Sequence, residues 1–250
     1  MPNIRRRHLL GTAAAVTLAP FRLPAAAQAW PSHPIKLVCP YAPGGSSDIL
    51  TRVLGEFISR RVGQPLVVEN HAGAGTRVAN DYVAKAAPDG YTILHAAAPI
   101  AIGEALYPKL PYDLRRSFEP IVSTAIAPLF LVVNADAPYK TVAEFVRWGK
   151  ANAKGFTFGS PGAGSAPHLT AEMFIRASHA KGVVVQYKGD APAYTELLAG
   201  RIDATLTAIS TAVPYIQAGK LHVLAVANEV RTPLQPEVPT FVESGLKDVV

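Results

Sequence analysis

The chain has 250 residues, 49% hydrophobic and 17% charged, which excludes a disordered segment and fits one large or two small globular domains. The formal charge is +6, but the first 29 residues hold four arginines and no acid, leaving 20 basic against 18 acidic residues and a net +2 beyond them. Those basic residues are scattered and not interleaved with aromatics, so no nucleic acid is expected as a partner.

Residues 1–29 read as a secretory signal peptide: Arg5-Arg6-Arg7, then an apolar core from Leu9 to Leu18, then the cleavage signal Ala27-Gln28-Ala29. A membrane span needs about 20 apolar residues, and this core is shorter. Arg6-Arg7-His8-Leu9-Leu10 also resembles a twin-arginine signal, so both export routes stay open. Trp30 is the expected mature N-terminus.

Ile35 to Cys39 is an apolar run that predicts a strand. Cys39 is the only cysteine, so an intramolecular disulfide and a cysteine zinc cluster are excluded; it reads as core. The turn Tyr41-Ala42-Pro43-Gly44-Gly45-Ser46-Ser47-Asp48 follows and leads into a helix from about Ser47 to Arg61. Ser46 or Ser47 is expected to cap it, and Asp48 suits its positive end. Ile49, Val53 and Phe57, with Leu50, Leu54 and Ile58, form its apolar face. Uncapped first-turn N–H groups make such a turn a potential anion seat.

The arrangement recurs. Leu66 to Val68 is followed by Ala72-Gly73-Ala74-Gly75-Thr76 and a helix to about Ala87. Tyr91 to Leu94 is the next strand. This β-α-β-α-β rhythm predicts a parallel sheet with ligands at the carboxyl ends of its strands, where the glycine turns lie. Ile121 to Ala125 and Leu129 to Asn134 read as extended, and Thr141-Val142-Ala143-Glu144 as a capping box. In a second α/β series, Phe156 to Phe158 leads through Ser160-Pro161-Gly162-Ala163-Gly164-Ser165 into a helix to Ser178. Val183 to Tyr187, a helix Asp190 to Ala199, Ala204 to Thr207, a helix Ser210 to Ala218 and His222 to Val226 complete it. Two α/β series joined by extended segments predict two lobes with a cleft, and three glycine turns suggest helix N-termini converging on one small anion.

Several motifs are then specific in combination. The turn Tyr41 to Asp48, Val68-Glu69-Asn70 with Gly73-Ala74-Gly75, Ala84 to Thr92, Gly159-Ser160 to His168-Leu169, Tyr187-Lys188-Gly189 with Ala191-Pro192-Ala193, Ala218 to Leu221, and Val238-Pro239-Thr240 occur in family order. Together they resemble the substrate-binding proteins of tripartite tricarboxylate transporters, the Bug family. The resemblance implies an α/β, two-lobed periplasmic binding protein of type II, with a hinge and a ligand cleft between the lobes. It implies capture of a small carboxylate for membrane transporter subunits, by a monomer, in the periplasm. Lobe 1 is expected at residues 30–130 and 226–250, lobe 2 at 131–225. Family members continue past the position of Val250, so lobe 1 is expected to be incomplete at its C-terminus.

The family's binding positions carry over to Tyr41, Ala42, Gly44, Gly45, Ser46, Ser47, Asp48, Gly73, Ala74, Gly75 and Thr76 on the first lobe. On the second they fall on Ser160, Gly162, Ala163, Gly164, Ser165, His168, Tyr187, Lys188 and Gly189. Many relatives have glycine at Thr76, and acidic or amide residues at Thr207 and Ala208, which here leaves the far end of the pocket less polar. An inward Asp48 would repel an anion, so its side chain is expected to turn to the loop backbone.

Other chemistries lack their signatures. His168 and Glu172 share a helix face but have no third ligand, so no metal is expected. Gly73 to Val78 lacks the third glycine of a dinucleotide loop, and no phosphate-binding G-x-x-x-x-G-K-[ST] or nucleophile elbow G-x-S-x-G occurs; no cofactor and no catalytic residue is expected. A receptor presenting its carboxylate to a membrane sensor kinase would use the same pocket and stays open as the alternative, ahead of a periplasmic enzyme.

Overall fold

The computed structural model describes residues 29–249; the export-signal reading falls on residues outside these, apart from Ala29. The first sheet holds β1 (Ile35–Cys39), β2 (Leu66–Asn70) and β3 (Thr92–Leu94) in the order β2-β1-β3, all parallel. The central strand β1 buries Ile35, Leu37, Val38 and Cys39. Its crossover helices are α1 (Ser46–Val62) and α2 (Arg77–Ala84). A further helix, α3 (Pro99–Leu106), begins on a proline, whose fixed φ suits a first turn.

Two expectations for this half fail. The Ile49, Val53, Phe57 side of α1 is more than 40% exposed, because α1 meets the sheet through Thr51 and Gly55 instead. Gly55 lies against Leu37, Leu66 and Val68 of the sheet, where a Cβ would make ordinary contacts of 3.6–3.7 Å. Ile121 to Ala125 joins no ladder, and Ile121 and Val122 are about three-quarters exposed.

The second sheet has the order β6-β5-β7-β4-β8. Its strands are β4 (Leu129–Asn134), β5 (Phe156–Ser160), β6 (Gly182–Gln186), β7 (Ala204–Ala208) and β8 (Leu221–Ala227). Helices α4 (Val142–Ala151), α5 (Ala166–Ser178), α6 (Asp190–Leu198) and α7 (Ile209–Gln217) cover it. Strand β5 pairs in parallel with β6 and β7, whereas β4 runs antiparallel to β7 and β8. The expected parallel rhythm breaks at β4 because it enters from an extended segment; only a crossover within a sheet enforces parallel pairing.

The run Leu129-Phe130-Leu131-Val132-Val133 is apolar at every position because both faces of β4 are covered. Leu131 and Val133 face a cluster with Phe145, Phe156, Phe158 and Phe174. Phe130 and Val132 face Tyr194, Leu197, Ile202 and Leu221. Phe241 and Val249 join the phenylalanine cluster, and Val226 bridges Thr240. The segment 226–250, expected with lobe 1, therefore packs on the second sheet through its described residues. Helix α4 starts as predicted: Thr141 Oγ1 accepts from Glu144 N–H at 3.2 Å. Glu144 Oε2 reaches back to Lys140 N–H at 2.7 Å, one residue before the cap.

Candidate ligand-binding site

The three glycine turns meet where the two sheets face each other, but they differ in what their N–H groups do. The first receives a carboxylate of the protein itself, although its Gly45, Ser47 and Asp48 N–H groups donate to no protein group. Gly45, not a serine, is the N-cap of α1, and no side chain caps it. Ser46 N–H and Ser46 Oγ–H both donate to Asp190 Oδ2, at 3.0 and 2.5 Å. Asp190 opens α6 on the opposite lobe and is buried. Burial pushes its carboxyl upward, and the Ser46 donors pull against that. Ala42 N–H also donates to Lys188 O across the lobes at 2.8 Å. Gly44 packs against Ala191, and Gly189 against Ala42. Ser47 is engaged locally, its carbonyl accepting from Thr51 Oγ1.

Asp48 turns to its own loop. Its Oδ2 accepts from Gly44 N–H and Arg52 Nε, both at 3.0 Å, and its Oδ1 accepts from Asn70 Nδ2 at 2.8 Å. Burial alone would raise this carboxyl, but the donors of Arg52, Gly44 and Asn70 outweigh it and hold it below the usual range.

The third turn is mostly satisfied internally; among the described residues only its Ala163 and Ala166 N–H groups find no protein acceptor. Gly162 N–H donates to Ser160 Oγ, and His168 N–H to Ser165 Oγ. Gly164 N–H donates to His168 Nδ1 at 3.1 Å. That bond requires an unprotonated Nδ1, so the ring proton sits on Nε2, 3.7 Å from Glu172 Oε1.

The second turn keeps the largest set of free donors beside the cavity. Helix α2 starts after Thr76, which has a left-handed φ of +71° and makes no side-chain cap. Among the described residues, the N–H groups of Gly75, Thr76, Val78 and Ala79 donate to no protein group. The first turn of α2 carries no acidic residue. These N–H groups surround an uncompensated positive helix end of the kind that attracts anions.

That turn opens on a cavity of about 320 Å³ between the lobes. Its first-lobe wall is Pro40, Tyr41, residues 73–77 and Tyr107; its second-lobe wall is residues 161–163 and 186–188. The lobes approach closely here: a Cβ on Gly75, at φ +60°, would lie 2.7 Å from Ala163 O. Arg77 and Lys188 are the charged lining residues, and no carboxylate lines the cavity. Burial raises the Tyr41 and Tyr187 phenols, so both line it as neutral hydroxyls. A second cavity, about 440 Å³, lies wholly within residues 140–244 and cannot sense the lobes closing.

Of the positions singled out in the sequence, Tyr41, Gly73, Ala74, Gly75, Thr76, Gly162, Ala163, Tyr187 and Lys188 line the cavity. Ala42, Gly44, Gly45, Ser46, Ser47, Asp48, Ser160, Gly164, Ser165, His168 and Gly189 do not; they build the turns and the contacts between lobes. Thr207 also lies off the cavity, its hydroxyl bonded to Tyr194 Oη at 2.7 Å. Among the described residues no group of three His, Cys, Asp or Glu could hold a metal, and no helix is long and apolar enough to cross a membrane.

Residues 50–250 match the profile of the "Tripartite tricarboxylate transporter family receptor". The chain belongs to this family. Among relatives of the tripartite tricarboxylate receptors, Protein BugT of Bordetella pertussis is 34% identical over 237 residues, spanning 94% of this chain and 73% of BugT. The structure titled R. palustris Rpa4515 with adipate superposes with a TM-score of 0.83 at 31% identity, covering 87% of this chain and 73% of that one. MatC (Rpa3494) from Rhodopseudomonas palustris with bound malate gives 0.79 at 29% identity, covering 88% and 75%. The two-lobed α/β architecture is that of a type II periplasmic binding protein, as the resemblance implied. Five liners escaped the sequence reading: Pro40, Arg77, Tyr107, Pro161 and Gln186. Arg77 could have been found as the first helical residue after a glycine turn; nothing in the sequence points to Tyr107.

Proposed function

We propose that this chain is a periplasmic solute receptor that captures a small carboxylate between its lobes and delivers it to a tripartite tricarboxylate-type membrane transporter. It binds its ligand without transforming it. The reading includes residues 1–29 as the export signal. The observation that carries it is the α2 turn: free N–H groups at an uncompensated helix N-terminus, opening on a cavity with two cations and no acid. Adipate and malate in the titles of two structural relatives support a small dicarboxylate as the ligand class.

A thermal-shift screen against adipate, malate, monocarboxylates, amino acids, phosphate and sugars tests this. Ligand at 1,000 times its Kd adds about 4 kcal/mol to stability. Each kcal/mol moves the melting temperature by about 2–4 °C at this size. A dicarboxylate should produce such a shift and be recovered unchanged after long incubation. A cooperative melt that no carboxylate moves would overturn the receptor reading, and turnover of the ligand would overturn the purely binding role.

A further inference from the structure

We infer that Arg77 selects ligands that carry a second carboxylate, an inference that rests on the carboxylate-receptor reading. The α2 turn presents one cluster of free N–H groups and so seats one carboxylate. Arg77 is the first residue of that helix and lines the same cavity. Its side chain is held in place from two directions. The guanidinium carbon lies 3.9 Å from the centroid of the Tyr107 ring, and Nε–H donates to Ala74 O at 2.9 Å.

These contacts use one face of the guanidinium and one of its five N–H groups. Among the described residues, neither terminal nitrogen of Arg77 has a protein acceptor, and Arg77 forms no ion pair. No acidic residue lines the cavity to neutralise it. A fixed, planar fork with its outer edge unpaired matches a carboxylate in bidentate geometry. Lys188 also lines the cavity, from the opposite lobe, but as an exposed loop residue it adds field more than direction. A dicarboxylate would place one end on the α2 turn and the other on Arg77. A monocarboxylate would leave the guanidinium unmatched, which is the source of selectivity.

The test uses a matched pair, adipate and hexanoate, which differ only in a terminal carboxylate against a methyl group. Calorimetric titration of the wild-type protein should show adipate bound about 10–100-fold more tightly, the worth of a charged hydrogen-bonded pair. In Arg77→Gln that ratio should collapse to within about 3-fold, and Arg77→Lys should restore it only in part. Ligand-free melting of each variant reports folding separately. A ratio unchanged in Arg77→Gln, or equal losses for both ligands, would overturn the inference and assign Arg77 a structural role. Equal binding of both by the wild-type protein would also overturn it while leaving the receptor reading intact. Binding of no carboxylate by the wild-type protein would remove the receptor reading and the inference together.

Discussion

Asp48 shows what a buried carboxylate does when it is kept away from an anionic ligand. Its oxygens take the Gly44 N–H, the Arg52 guanidinium and the Asn70 amide, and so fix the first loop to α1 and β2. Half of the Arg52 side chain is solvated, which weakens that ion pair, so the part-buried bonds from Gly44 N–H and Asn70 Nδ2 share the effect with it. Asp48→Ala removes these bonds to a buried carboxylate and should cost about 1.5–3 kcal/mol in urea unfolding at pH 7. Because the folded-state carboxyl titrates below its ordinary value near 3.9, its stabilisation is complete above that pH and is lost as pH falls through the folded-state value. The deficit of Asp48→Ala should therefore shrink on acidification; a deficit constant from pH 7 to pH 2 would contradict this assignment. The inward-repulsion argument made this orientation legible from sequence. The role of Asp190 was not, because its partner Ser46 lies 144 residues away and the two meet only when the lobes do.

At the scale of elements, three helix N-termini that look alike in sequence have three different fates. The α1 end receives Asp190, the α5 end is partly bonded through Ser165 and His168, and the α2 end opens on the cavity without a side-chain cap. Glycine spacing predicted the turns and their convergence; it could not tell a seat for a ligand from one filled by the protein. Asp190 places an internal carboxylate on the α1 end and bonds one lobe to the other. Asp190→Ala removes two charged hydrogen bonds between lobes, each worth about 1.5–3 kcal/mol. The closed population should fall, and apparent affinity with it, by up to about 100-fold. Small-angle scattering of the ligand-free variant should give a larger radius of gyration than the wild type. An identical scattering curve and unchanged affinity would show that the contact does not govern closure.

Across the whole molecule, the second half was the more legible. Its strand β4 is a continuous apolar run covered on both faces, and helices α4 and α5 carry side-chain caps, α5 with a proline start, that can be read directly. The first half was misread where burial, not pattern, decides. The apolar stripe Ile49, Val53, Phe57 and the run Ile121 to Ala125 have the composition of buried elements but lie exposed in the described structure. The segment after Val226 could not be placed from sequence, because its lobe is set by where Phe241 finds the phenylalanine cluster. The cavity joins both halves, so no local pattern contains it, and Tyr107 enters it from a stretch with no sequence signal.

A ligand carboxylate seated on the α2 turn, and not on the other two, would mark that turn's own amides. Amide chemical-shift mapping during titration with adipate tests it most directly. Saturable shifts should concentrate at the Gly75, Thr76, Val78 and Ala79 amides, with Ser46 and His168 much less affected. Dominant shifts at Ser46 to Asp48, or saturable binding that leaves the four α2-turn amides unmoved, would contradict it.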